Sequence, residues 1–185
     1  MQSREQIGST VLVVVLLQGT RILDLRLGAI EIDGLDAQPV LVSLLNGLSY
    51  DAVMTSGVSF GGFNVIDILE LAGTIHKPVI AVIREKPDNR AVHAALRKHF
   101  HDWRRRWRII QHAGALHSCR PVPDEPQLYF EIKGASQVFA RNAICSWSAV
   151  SRLPEPVRVA GVVAKGLRGY LTGLDEVNEA NLERL

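Results

Sequence analysis

Apolar and polar positions divide the chain into short segments of two periodicities. Residues 10–17 are β-branched or leucine, with an unbroken apolar run from Val11, the pattern of a strand buried on both faces, with Val11, Val13, Val15 and Leu17 on one face and Leu12, Val14 and Leu16 on the other. A tight turn at 18–20 follows. Residues 22–32 then alternate, with Leu23, Leu25 and Leu27 pointing one way and Asp24 and Arg26 the other. Together the two segments predict a β-hairpin. A helix is expected over 38–48, with Asp36 as its cap and Pro39 in its first turn. Residues 52–56 read as a strand. Residues 64–73 read as a helix with Val65, Ile68, Leu69 and Ala72 on one face and Gly73 as its stop. Residues 78–83 form a second buried strand, 89–113 one long helix, 127–133 a last strand, and helices close the chain at about 137–150 and 155–170. Strands and helices alternate without a linker, so residues 1–185 are expected to form one α/β domain.

Composition adds exclusions more than assignments. A formal charge of +2 over 185 residues is too small to mark a nucleic-acid binder by itself. Cys119 and Cys145 form no CxxC motif, which fits a reducing cytoplasm. The apolar run from Val11 to Leu17 is far shorter than the roughly 20 residues a membrane helix needs. No membrane association is expected, and a cytoplasmic location is.

Candidate chemistry is sparse. Gly57, Gly61 and Gly62 lie in a strand-to-helix loop, but neither GxGxxG nor GxxxxGK[ST] occurs. Asn64 and Asp67 open the following helix, where caps are favoured. Asp33 and Asp36 lie just past a strand end, where they can serve a divalent metal or a turn. The histidines show no zinc-site spacing, and neither a serine elbow nor a paired cysteine is present. The stretch RKHFHDWRRRWRIIQHAG is the densest basic segment. It carries Arg97, Lys98, Arg104, Arg105, Arg106 and Arg108 around Phe100, Trp103 and Trp107. With the aromatics packed inward, its arginines form an outward strip: a phosphate-binding surface or a solvated, salt-bridged face.

The runs EIDGLDA, GVSFGGFNVIDI, KPVIAVIREKPD, ALRKHF and LPEPVRVA, in that order, resemble the archaeal family called domain of unknown function 99, from about Val11 to Gly169. That family is itself similar to endonuclease V, a magnesium-dependent enzyme of the ribonuclease H-like fold that cuts nucleic acid beside deaminated adenine. The resemblance implies a ribonuclease H-like mixed sheet flanked by helices, with the usual first strand missing because only MQSREQIGS precedes the hairpin. A misjudged start codon, direct pairing of the remaining strands, or a strand supplied by a partner would account for the missing strand. It also implies a degenerate site. One nuclease acid falls near Asp33 or Asp36, the next on Ser56, the catalytic lysine on Arg84 and the late histidine on Ala135.

The expectation is therefore a catalytically degenerate domain that binds RNA, DNA or a ribonucleoprotein partner without a cofactor. Arg84, Lys86 and the arginine strip would contact phosphate, and Asp33, Asp36, Asn64 and Asp67 would be a residual site. One alternative is a magnesium-dependent nuclease using Asp33, Asp36 and Asp67. Another is a protein-interaction module, or a self-associating one, joined through the sheet edge. Ser56 is expected beside Asp33 or Asp36 and Arg84, around a shallow cleft.

Overall fold

A computed structural model describes residues 8–167. Strands β1 (Ser9–Gln18) and β2 (Arg21–Glu31) form the expected antiparallel hairpin, closed at Gly19, whose φ of 57° suits glycine. Helix α1 (Ala37–Leu45) follows, then β3 (Val53–Ser56), a small ribbon of β4 (Ser59–Phe60) and β5 (Asn64–Val65), and α2 (Ile68–Ile75). Next come β6 (Val79–Ile83), α3 (Asn89–His99), α4 (Trp103–His112), β7 (His117–Cys119), β8 (Leu128–Lys133) and α5 (Gln137–Trp147). Helix α6 spans 155–167; the last residues of the helix expected to reach 170 lie outside the described range. None of the helices among the described residues is long and apolar enough to cross a membrane.

The main sheet is mixed, in the order β3-β6-β8-β7, with β3 and β6 parallel and the other pairs antiparallel. The two-residue period of β6 sorts its side chains into two layers. Val79 and Ala81 join a core with Leu41, Ile68 and Leu71 from α1 and α2. Ile80 and Val82 join another with Phe130, Ala140, Ile144 and Val157, under α5 and α6.

The hairpin does not hydrogen-bond to this sheet. A cavity of about 630 Å³ separates β1 from β3, walled on its flanks by α1 and α5. This overturns the expectation that β1 is buried on both faces. Leu12 is buried, but Val11 and Val13 to Leu17 are only half-buried, and among the described residues no strand pairs with the other edge of β1. The hairpin's patterning is also inverted. Leu23, Leu25 and Leu27 face outward, while Arg26 turns in and donates to the carbonyls of Leu44 and Asn46 at the end of α1, at 2.9 and 2.6 Å. A cation at those unpaired carbonyls complements the negative end of the helix.

Several other expectations are corrected. The single helix over 89–113 is two helices, broken where Phe100 adopts an extended backbone. Gly73 lies inside α2, which ends at His76 in a left-handed conformation. Leu71, rather than Leu69, joins the buried face of that helix. The short strands β4, β5 and β7 have too few residues to show a period.

Two outcomes test this packing. Gly28 opposes Leu12, and a Cβ there would stand 2.6 Å from Cγ1 of Val40. Valine is stiff on a helix, so Gly28→Ala should destabilise the fold by about 1–3 kcal/mol in urea unfolding. On β8, burial pushes the Glu131 carboxyl from the usual 4.5 up to about 7, with Lys133 opposing it. Its folded pKa is raised, so its contribution is fully present below about pH 4.5 and is lost as pH rises through about 7. Glu131→Gln should flatten the fall in unfolding free energy across that window.

Candidate functional site

The loop 57–63 leaves the carboxyl end of β3 and folds against the turn that leads from β2 into α1. Asp33 sits in that turn with a φ of 59°, a left-handed conformation unusual for a residue other than glycine. Tertiary bonds hold it there: its N–H donates to the Gly61 carbonyl at 2.7 Å, and its carboxylate accepts from Phe63 N–H at 2.7 Å. A Cβ at Gly62, itself at a φ of 84°, would collide with that carboxylate.

Asp36 precedes α1, but its side chain does not cap the helix. It accepts from Glu31 N–H and from Asn64 Nδ2. Asn64 is fully buried and takes the capping role instead: its Oδ1 accepts from Ala37 N–H at 3.0 Å, and its Nδ2 also donates to the Glu31 carbonyl at 2.8 Å. Asp67 caps α2 through Leu69 and Glu70 N–H, as the sequence suggests, and its other carboxylate oxygen meets His112 Nδ1 at 2.6 Å. Its own N–H donates to Gln38 on α1 at 2.8 Å.

Asp33, Asp36 and Asn64 thus converge on one junction, with Asp67 one helix start further on. All three carboxylates are engaged in holding backbone or side chains. Among the described residues no three His, Cys, Asp or Glu side chains converge as a metal set, so this donor arrangement does not fit a two-ion carboxylate centre.

Arg106 organises the junction. It is 6% exposed, not part of an outward strip. From α4 its Nε bonds Asp102 at 2.8 Å, and its Nη1 reaches the carbonyls of Gly34 and Phe63 at 2.8 and 2.6 Å. Its guanidinium lies 4.5 Å from the Phe100 ring centroid, and Phe100 meets Phe63 edge-on at 5.5 Å. Arg106, Gln38 and His112 carry much of this network, yet the sequence pattern did not reveal their roles. The one local signal was Asp102 one turn ahead of Arg106, an i,i+4 pair.

The rest of the basic segment is exposed. Arg97, Lys98, Arg104, Arg105 and Arg108 are open to solvent, with Arg97 and Arg104 set over Trp103 at 5.6 and 4.5 Å from its ring centroid. The tryptophans are half-buried rather than inward, and His93 packs edge-on against both, at 5.3 Å from Trp103 and 4.9 Å from Trp107.

Ser56 and Arg84 occur at the same end of the main sheet, since Ser56 pairs with Val82 on the parallel strand β6 and Arg84 lies two residues beyond. Both are exposed, as is Lys86. Ala135 does not join them. Strand β8 runs antiparallel to β6, so its far end, and Ala135 with it, lies at the opposite end of the sheet. The cavity between β1 and β3 is lined by none of Asp33, Asp36, Ser56 or Arg84.

Residues 1–168 match the family described as endonuclease dU. A UPF0215 protein of Methanothermobacter thermautotrophicus is 35% identical over 142 residues, covering 75% of this chain and 68% of the relative. Another, of Thermococcus gammatolerans, is 36% identical over 164 residues, 86% and 82% of the two chains. Among solved structures, a protein of unknown function from Archaeoglobus fulgidus superposes with a TM-score of 0.75 at 24% identity, over 86% of this chain and 96% of that one. The catalytic domain of human endonuclease V superposes with a TM-score of 0.60 at 14% identity, over 94% and 80%. The mixed α/β fold is the ribonuclease H-like one shared with endonuclease V.

The buried guanidinium makes a sharp prediction. Arg106→Met keeps most of the volume but leaves two carbonyls and Asp102 without their partner, and should destabilise the protein by about 3–5 kcal/mol. Arg104→Gln, on the exposed side of the same helix, should change stability by about 0.5 kcal/mol or less. Urea denaturation of both variants checks the contrast.

Proposed function

The chain belongs to the endonuclease dU family, an endonuclease V-related family, and from that premise we propose that it is a nucleic-acid-binding domain whose nuclease centre is degenerate. The observation that carries this reading is a juxtaposition. The exposed basic surface of α3 and α4 is anchored through Arg106 to the junction where nuclease carboxylates would be needed, and there Asp33, Asp36 and Asp67 are all engaged in structural bonds.

Each exposed cation on this face can neutralise a backbone phosphate and release counterions, which needs no defined base sequence. Trp103 and Trp107 are half-buried within this surface, and a base that stacks on Trp103 would have to displace the guanidiniums of Arg97 and Arg104 from its ring. By the sequence resemblance Ser56 and Arg84, which share one end of the sheet, replace a nuclease acid and the lysine, while Ala135, aligned with the histidine, lies at the other end. A serine hydroxyl is a weak ligand for a hard cation, and an arginine with a pKa above about 12 is no base. The reading requires no metal, and its ligand is RNA, DNA or a ribonucleoprotein.

One observation favours the enzyme alternative: the family to which the chain belongs is described as an endonuclease. On that reading Asp33, Asp36 and Asp67 must abandon their present partners to hold magnesium. Cleavage of deoxyuridine- or inosine-containing strands that depends on magnesium or manganese and vanishes in Asp36→Asn would replace the degenerate reading.

The binding reading is tested by salt titration on duplex DNA or RNA. Replacing Arg97, Arg104, Arg105 and Arg108 with glutamine, while leaving Arg106 intact, should reduce the slope of log K against log salt by about 0.9 for each B-DNA phosphate no longer neutralised. An unchanged slope removes the strip from the reading.

A further inference from the structure

Two cysteines make up the whole thiol content of the 185 residues, and the fold brings them together. Cys119 closes β7, the edge strand of the main sheet, which pairs only with β8 among the described residues. Its side chain is buried beneath α5, in the core with Phe130, Ala140 and Ile144. Cys145 directly follows Ile144 on α5 and is exposed. Arg141, one helical turn before Cys145, donates from Nη2 to the carbonyl of Ser118, the neighbour of Cys119, at 3.2 Å. That bond sets this part of α5 against the end of β7. There the Cys119 S–H, a weak donor, donates to the Cys145 sulfur.

A cysteine in an apolar core packs as a small hydrophobe and needs no second thiol. Here a second thiol is present, and the two differ in access. Burial, then the neighbouring Cys145, push the Cys119 thiol from the usual 9.0 up to about 11, with Arg141 opposing. Cys119 is thus screened from solvent and holds its proton, whereas Cys145 stands open at the surface. Thiol–disulfide exchange requires a thiolate with access to the sulfur that it attacks. Cys145 has that access to a dissolved disulfide. Cys119 has it only to a sulfur already carried by Cys145.

We propose that Cys145 and Cys119 form a thiol–disulfide exchange site, which takes a small dissolved disulfide, RSSR, and closes to a bridge between α5 and β7. The Cys145 thiolate attacks one sulfur of RSSR, forming a mixed disulfide and expelling RS⁻. Cys119 then loses its proton to water and attacks the Cys145 sulfur, and the bond to the second RS⁻ breaks as the protein disulfide forms. Two electrons pass from the protein sulfurs to RSSR, and the two thiol protons end on the two RSH released. The bridge pins a three-residue edge strand to the helix that covers it.

Oxidised glutathione added to the full reduced chain tests this, read by intact mass without reductant and by peptide mapping. The mass should rise transiently by one glutathionyl group on Cys145, then settle at the reduced mass less two hydrogens, with Cys119 and Cys145 in one linked peptide. Cys119→Ala should stop at the Cys145 adduct, and Cys145→Ser should leave Cys119 unmodified. Oxidation should also raise the urea midpoint of the wild-type chain, because the bridge closes a loop in the unfolded state, and dithiothreitol should reverse the rise. The wild-type readouts hold whether or not either variant folds. No change in mass, an adduct that persists on wild-type Cys145, a bridge between two copies, or a lowered urea midpoint overturns the proposal. So does modification of Cys119 in the Cys145→Ser chain.

Discussion

The buried guanidinium of Arg106 holds together three parts of the chain. It binds the Gly34 carbonyl in the turn before α1, the Phe63 carbonyl in the loop after β3, and Asp102 at the start of its own helix. A charge taken out of water needs hydrogen-bonding partners, and here Nε and Nη1 of the arginine fork supply three bonds at once. The break between α3 and α4 belongs to the same arrangement. By leaving the helix at Phe100, the chain sets an aromatic ring under the guanidinium and against Phe63. Where the exposed arginines of α4 stand relative to the β3 terminus is thereby decided by a residue that is not itself exposed.

The acidic residues at this junction show one residue type meeting several structural demands. Asp33 stabilises a left-handed backbone, Asp36 a loop crossing, and Asp67 a helix start and a histidine. Each carboxylate is satisfied by groups within the protein, so rigidity of the junction and availability of the acids oppose each other. Asn64 makes the same point from the neutral side: an amide can donate and accept together, and it uses both functions to seat α1 against β5.

Elements whose identity depends on local pattern were legible in the sequence. The apolar run of β6, the alternation of β2 and the cap at Asp67 each carry their signal within a few residues. What could not be read depends on distant partners. Nothing in RRRWR distinguishes Arg106 from its neighbours, because the carbonyls that select it lie 72 and 43 residues away. The helix break at Phe100 has no glycine or proline to announce it. The uniform apolarity of β1 signals a strand, but the burial on both faces that it predicts is not met, because the pattern is silent on what covers the strand. The remote position of Ala135 follows from the antiparallel direction of β8, a property of topology rather than of composition.

The inverted hairpin also sets an order of events. Its pairing is local, closed by a two-residue turn, and such hairpins form in about 1–10 microseconds, whereas β3, β6 and β8 must wait for segments dozens of residues apart. During synthesis the hairpin therefore emerges and closes before α1 exists to cover its inner face. At that stage Leu25 and Leu27 are uncovered on one side and Leu12 and Val14 on the other. The charges of Asp24 and Arg26 guard only the inner side, and the run from Val11 to Leu17 has no gatekeeper at all. The pace at which α1 leaves the ribosome is then a determinant of solubility, and the nascent hairpin is the segment a chaperone would have most reason to hold.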